Sequence, residues 1–274
     1  MASTIEELRK LSEEGKLIVR THGSWEEEVV KIWDKFYNKK SPKEFYNSIS
    51  KNLGDAAVVL DIDFEGYTTL NIYLYKDDVI KRDELNGHTS AAFSIIHSDN
   101  KASLDDIIVN DQDDRAAGIG RNILANTFGI FEEIGIEKIK ITATNIGGYA
   151  WSKFGFVPSS EAWENIKIFI EGTYNKMLTD LLLHHPNFCD VIEKCLQSDD
   201  PKSMWLISDL AGKASYYDVD EIREKEVSVG AAFLLHSAWN GEFDFNDKDC
   251  VERFNSYVGK DRKISEEKIA GRQI

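Results

Sequence analysis

The chain has 274 residues, 42% of them hydrophobic, six Trp among them, and a formal net charge of −15. That is apolar material for one large or two small packed domains, and no run of 18 apolar residues exists to form a membrane-spanning helix. The acidic balance argues against nucleic acid or an anionic membrane as partner; it suits a cationic amine or a basic protein, or simply solubility. Cys189, Cys195 and Cys250 make an odd number without metal-ligand spacing, so free buried thiols in a reducing compartment are expected, and no metal site is. The charged opening, MASTIEELRKLSEEGK, lacks an apolar signal core and points to the cytoplasm.

Residues 1–55 read as a helical segment. Ser3 or Thr4 caps a helix over 5–11, and 17–19 is a short apolar run that reads as a strand. Ser24 caps Trp25-Glu26-Glu27-Glu28, a good match to the helix dipole, and Val29, Val30, Ile32, Trp33, Phe36 and Tyr37 give that helix a broad apolar face. Ser41-Pro42 starts a third helix with Pro at its first position, ending by Gly54.

Residues 56–158 read as a core of strands and a βαβ unit. Strands are expected at 56–62, 67–75, 89–97 and 102–109, joined by hairpin turns at 64–66 and 98–101 and a longer polar loop at 76–88. The run Ile107-Ile108-Val109 stops in a polar loop, Arg115-Ala116-Ala117-Gly118-Ile119-Gly120 follows, and Ile123, Leu124, Phe128, Phe131 and Ile134 then mark a helix. Gly135 ends it, and 138–144 alternates as a strand.

Residues 159–274 read as mostly helical. Ser160 caps a helix running to Leu183, Pro186 interrupts, and helices follow over 188–196 and 204–210. The apolar run 227–235 reads as a strand returning late to the sheet, Trp239-Asn240-Gly241 as a turn, 244–249 as a loop, 250–257 as a helix and the charged remainder as a tail. This third is either a helical appendage or a large insertion before that late strand.

The chemistry concentrates where the 102–109 strand turns into the next helix. A helix start presents unpartnered N–H groups and partial positive charge, and glycines let an anion approach them closely. Arg121 adds a formal charge, so a phosphate or pyrophosphate is the expected ligand. The pattern is Arg115-x-x-Gly118-x-Gly120, neither G-x-G-x-x-G nor G-x-x-x-x-G-K-[ST].

Together with Asn145, a short helix over 149–154 and Gly155-Phe156, this turn resembles the GNAT acetyltransferase superfamily over roughly 56–158, most specifically over its last fifty or so residues. The resemblance implies a mixed, mostly antiparallel central sheet flanked by helices, an α/β (α+β) fold here carrying extra helical segments at both ends. It implies acetyl-CoA as cosubstrate. Ala117, Gly118, Ile119, Gly120 and Arg121, with Arg115, would hold the pyrophosphate; the backbone of Ile108 and Val109 would meet the thioester end, and Asn145 the pantetheine arm. The loop after Val109 is one residue longer than the common family pattern, and the Asn145–Gly155 spacing is one shorter. Many members place a Tyr four residues before that Gly to protonate the departing thiolate; here Trp151 stands there. Tyr149 or Ser152 would replace it, or the thiolate leaves without an acid.

Amine acetylation also needs a proton acceptor. Asp105 and Asp106 lie on the strand entering the turn; strict alternation would put Asp105 on the face of Val109 and makes it the preferred base, while a solvated pair of acids is the plain alternative. His97 and Asp99, at a strand end near the expected cleft, read as surface turn residues first and as candidates for the chemistry second, His184-His185 as a cationic helix end, and His236, Ser237, Trp239 and Asn240 as a polar turn packed under a Trp or an acceptor-pocket wall. Gly147-Gly148 reads either as a passage for the pantetheine or as a tight corner with Trp151 in the core. The expected activity is acetyl-CoA-dependent N-acetylation of an amine on a small cationic molecule or a basic protein. The alternative is an inactive GNAT-like scaffold that binds CoA, or a protein partner through the C-terminal region.

Overall fold

The computed structural model describes residues 2–21, 27–37, 40–62, 67–74, 89–109, 118–218 and 223–259. The expected cap at Ser24, the connections at 64–66 and 76–88, the loop 110–117 with Arg115 and Ala117, and the tail beyond 259 lie outside the described residues. The fold is mixed α/β, with a large, mostly antiparallel sheet flanked by helices. It divides into two compact units, Met1–Lys140 with Val258–Ile274, and Ile141–Tyr257. Among the described residues no helix is long and apolar enough to cross a membrane.

The first unit holds α1 (Ala2–Glu13), β1 (Leu17–Thr21), α2 (Glu27–Phe36), α3 (Pro42–Ile49), β2 (Ala56–Ile62), β3 (Tyr67–Leu74), β4 (Thr89–Ile96), β5 (Lys101–Val109), α4 (Ile119–Ile134) and the start of β6 (Lys138–Ala143). β1 runs parallel to β2, and β2 to β5 pair antiparallel in chain order. Alternation buries one face: Leu70, Ile72, Ala91, Phe93, Ile95 and Leu104 are all in the core, and α4 brings Phe131 edge-on to Phe93 at 5.5 Å. Two asparagines fix α4 to the end of α3. Asn122 Nδ2 donates to Asn52 O (3.2 Å) and Asn126 Nδ2 to Ile49 O (3.0 Å). α3 starts in a capping box, Ser41 with Glu44, with Pro42 at its first position, and ends at Ile49 rather than Gly54.

The second unit holds the rest of β6, α5 (Gly147–Lys153), β7 (Val157–Pro158), α6 (Ser160–His184), α7 (Pro186–Leu196), α8 (Met204–Ser208), β8 (Lys213–Asp218), β9 (Arg223–Ser228), α9 (Val229–Leu234), β10 (Trp239–Asp244) and α10 (Lys248–Val258). β10 inserts between β6 and β7 and pairs antiparallel with β7. Arg253 ties this unit together. Its Nε donates to Ser152 O (2.7 Å), Nη2 to Ser208 Oγ (2.7 Å) and Nη1 to Asp209 Oδ2 (2.9 Å), and it lies over Trp205.

Two expectations for the last third are corrected. The run 227–235 is not the late strand. Val227 and Ser228 end β9, which pairs with β8 as a separate two-stranded sheet, and Val229–Leu234 is the fully buried helix α9. Ser228 caps that helix by accepting from Ala231 N at 3.1 Å. A short apolar run has no periodicity to separate a buried helix from a buried strand. The late strand is instead 239–244, where a turn and a loop were expected, and β7 follows directly on Gly155-Phe156.

Candidate active site

In the first unit, α4 begins on Gly118 at φ +70, a left-handed conformation, and among the described residues no side chain caps it. The helical ladder opens with Asn122 N donating to Gly118 O (3.1 Å), so the N–H groups of Ile119, Gly120 and Arg121 precede it. Gly120 is pressed against β5: a Cβ there would stand 3.3 Å from Val109 Cγ2. Arg121 is exposed on the first turn. Thus Gly118, Ile119, Gly120 and Arg121 come together at an uncapped helix start beside Val109, a geometry suited to an anion. Ile108, on the opposite face of β5, is partly exposed.

Asp105 does not share the face of Val109. Phe93 pairs with Leu104 but Ala92 pairs with Asp106, leaving Asp105 in a bulge without an opposite residue. The bulge shifts the alternation, so Ile107 and Val109 sit opposite Ala91 and Thr89 on the buried face while Asp105 and Asp106 are both exposed. Asp105 Oδ2 accepts a hydrogen bond from Ser94 Oγ, and Tyr67 Oη donates to Ser94 Oγ at 2.6 Å. Sequence reasoning missed Tyr67 and Ser94. Only the β3–β4–β5 register brings them together.

His97 is not a surface turn residue. Its ring stacks on Phe36 at 4.0 Å, and its Nε2 lies 3.1 Å from Thr68 Oγ1 and 3.5 Å from Tyr37 Oη. Burial, aided by the nearby Lys35 charge, pushes its pKa down to about 4, so it is neutral at pH 7. Burial likewise raises the Tyr37 phenol. Asp99 is exposed in the turn that follows, closed by Asn100 at φ +53.

In the second unit, Asn145 adopts φ +51, and its side chain is exposed. Its carbonyl accepts from His236 N (3.0 Å) and Gly148 N (3.3 Å). Gly147 and Gly148 form a tight corner. A Cβ on Gly148 would overlap Ser237 and the Leu234 carbonyl, and one on Gly147 would meet the Trp151 indole at 2.8 Å. Trp151 is in the core beside Phe154 and Phe156. Tyr149 is half-buried, its hydroxyl accepting from Ser228 Oγ at 3.3 Å. Ser152 is fully buried and donates to Tyr149 O at 2.6 Å, which removes it as a proton donor to substrate. His236, Ser237 and Trp239 belong to the packed turn under α5, with Trp239 Nε1 donating to Gly148 O at 3.3 Å, whereas Asn240 Oδ1 accepts from Thr142 on β6.

His184 and His185 line a cleft of about 300 Å³ in the second unit with Asp180, Lys213, Ser215 and Glu226. Lys213 is paired with Glu226, and His185 Nε2 lies 3.3 Å from Lys213 O. Among the described residues no group of three or more His, Cys, Asp or Glu is arranged to hold a metal ion, and all three cysteines are free and buried. The sequence has no significant match among protein-family models, and neither curated proteins nor solved structures give one.

Proposed function

We propose that the chain is an acyltransferase of GNAT type that moves an acetyl group from acetyl-CoA to an amine. The observation that carries the reading is the glycine-led, uncapped start of α4 pressed against the end of β5, with Arg121 on its first turn. The first-turn N–H groups and the helix dipole favour an anion at this turn, and Arg121 stands on the same turn as a further positive charge. Two further features support it. The strands β2 to β5 form an antiparallel series that leads into this turn, and a late strand, β10, lies between β6 and β7. The resemblance calls for two closing strands soon after the Gly-Phe; β7 follows it directly, whereas β10 comes about eighty residues later.

In this reading a neutral amine attacks the thioester carbonyl carbon; the C–N bond forms, the C–S bond breaks and the thiolate leaves. The amine proton passes to Asp105, whose carboxylate is oriented by Ser94 and, through it, by Tyr67. Of the two acid candidates for the thiolate, Ser152 is packed away, which leaves Tyr149. The acceptor is a small cation or a basic protein, in keeping with the charge of −15.

A second reading, a protein-binding scaffold on the same fold, is favoured by the exposed apolar side chains of α6 and by the burial of Trp151. Thiol release from acetyl-CoA separates the two. Offered polyamines, aminoglycoside-like amines and Lys-rich protein, the enzyme reading expects acceptor-dependent release that falls at least about tenfold in Asp105→Asn. CoA binding without release from any acceptor would favour the scaffold.

A further inference from the structure

Helix α6 buries Trp163, Ile166, Ile170, Tyr174 and Leu181 along one face. The opposite face should be polar in an isolated chain. Instead it exposes Ile168 (69%), Phe169 (38%), Leu182 (56%) and Leu183 (72%). Their spacing along the helix is symmetric. Ile168 and Leu183 stand equally far from the midpoint between Asn175 and Lys176, as do Phe169 and Leu182, and as do the exposed Gly172 and Thr179. At about 100° per residue, Ile168, Gly172, Thr179 and Leu183 fall on one line facing directly away from the core.

We propose that α6 is the contact surface of a symmetric homodimer, lying antiparallel against the α6 of a second copy. A two-fold axis between Asn175 and Lys176 brings Ile168 and Phe169 onto Leu182 and Leu183 of the second copy, and the same cluster recurs at the other end. Gly172 meets Thr179, two small side chains that let the helices approach. The axis brings the two Lys176 side chains onto one flank, where an Asp180 on either side of the pair offsets their charge. The helix stretch involved is about 30 Å long. An unrelated partner would not require the pattern to mirror itself; an isologous contact does.

The test uses the full chain. Sedimentation at about 10 μM is expected to show a dimer, and Leu183→Arg, a change on an exposed side chain, should raise the dissociation constant at least about tenfold while leaving the circular dichroism unchanged. Asn175→Cys lies beside the axis and should form an intermolecular disulfide under oxidation, since the native cysteines are buried. Glu161→Cys, equally exposed but a helix-length from its counterpart, should not. A monomer at 100 μM, a dimer that survives Leu183→Arg, or equal cross-linking at both positions would overturn the proposal.

Discussion

His97 shows how one side chain's surroundings set its chemistry. Stacked on Phe36 and held near Thr68 and Tyr37, its pKa falls from 6.5 to about 4. The unfolded chain therefore binds more protons than the folded one between those values, so this residue's contribution to stability is complete above pH 6.5 and declines as the pH drops toward 4. One proton can give a slope of at most about 1.4 kcal/mol per pH unit. Urea unfolding at pH 7, 6, 5 and 4 should show His97→Gln losing less stability on acidification than the parent chain; parallel curves would contradict the assignment. Asp105 is the other residue whose role depends on neighbours distant in sequence. Its acidity and place on the strand entering the turn were legible, but the bulge that turns it toward Ser94 was not, because a register shift leaves no mark in the alternation of one strand read alone.

At the scale of elements, the two glycine sites demand glycine for different reasons. Gly118 needs φ +70 and no described residue crowds it, whereas Gly148 has ordinary backbone angles and no room. Gly118→Ala is therefore expected to cost about 1–2 kcal/mol from the left-handed conformation. Gly148→Ala, which sets a methyl group against backbone carbonyls, should cost about 1–3 kcal/mol and also loosen the Trp151 corner, visible as a shift in Trp fluorescence that Gly118→Ala does not share. An unshifted fluorescence in Gly148→Ala would mean the corner yields freely. The helix α4 was legible at both ends, from Gly118 and Gly135, because caps and a 3/4-spaced apolar stripe are local signals. The hairpin β8–β9 was not, since its strands Lys213–Asp218 and Arg223–Ser228 are rich in charge and hold few of the β-branched and apolar residues that mark a strand. α9 was misread as a strand because six buried residues in a row look alike in either conformation.

At the scale of the whole molecule, the acidic charge and the anion-suited turn pull in opposite directions. A net charge of −15 repels CoA, which is polyanionic, and attracts a cationic acceptor. On the proposed reading, CoA binding would rest on short-range groups at the start of α4, where bulk charge is screened. The sequence made that turn legible because Arg, Gly and Gly stand at fixed spacing within one βαβ unit. The order in which β10 enters between β6 and β7 was hidden by the eighty residues or so that separate it from β7, across which no local pattern reaches. The measurement that bears most directly on the central claim is calorimetric titration of the full chain and of Arg121→Glu with acetyl-CoA. Micromolar affinity in the parent chain, abolished by the charge reversal, is the predicted result; no binding up to millimolar acetyl-CoA, or an unchanged affinity in Arg121→Glu, would contradict it.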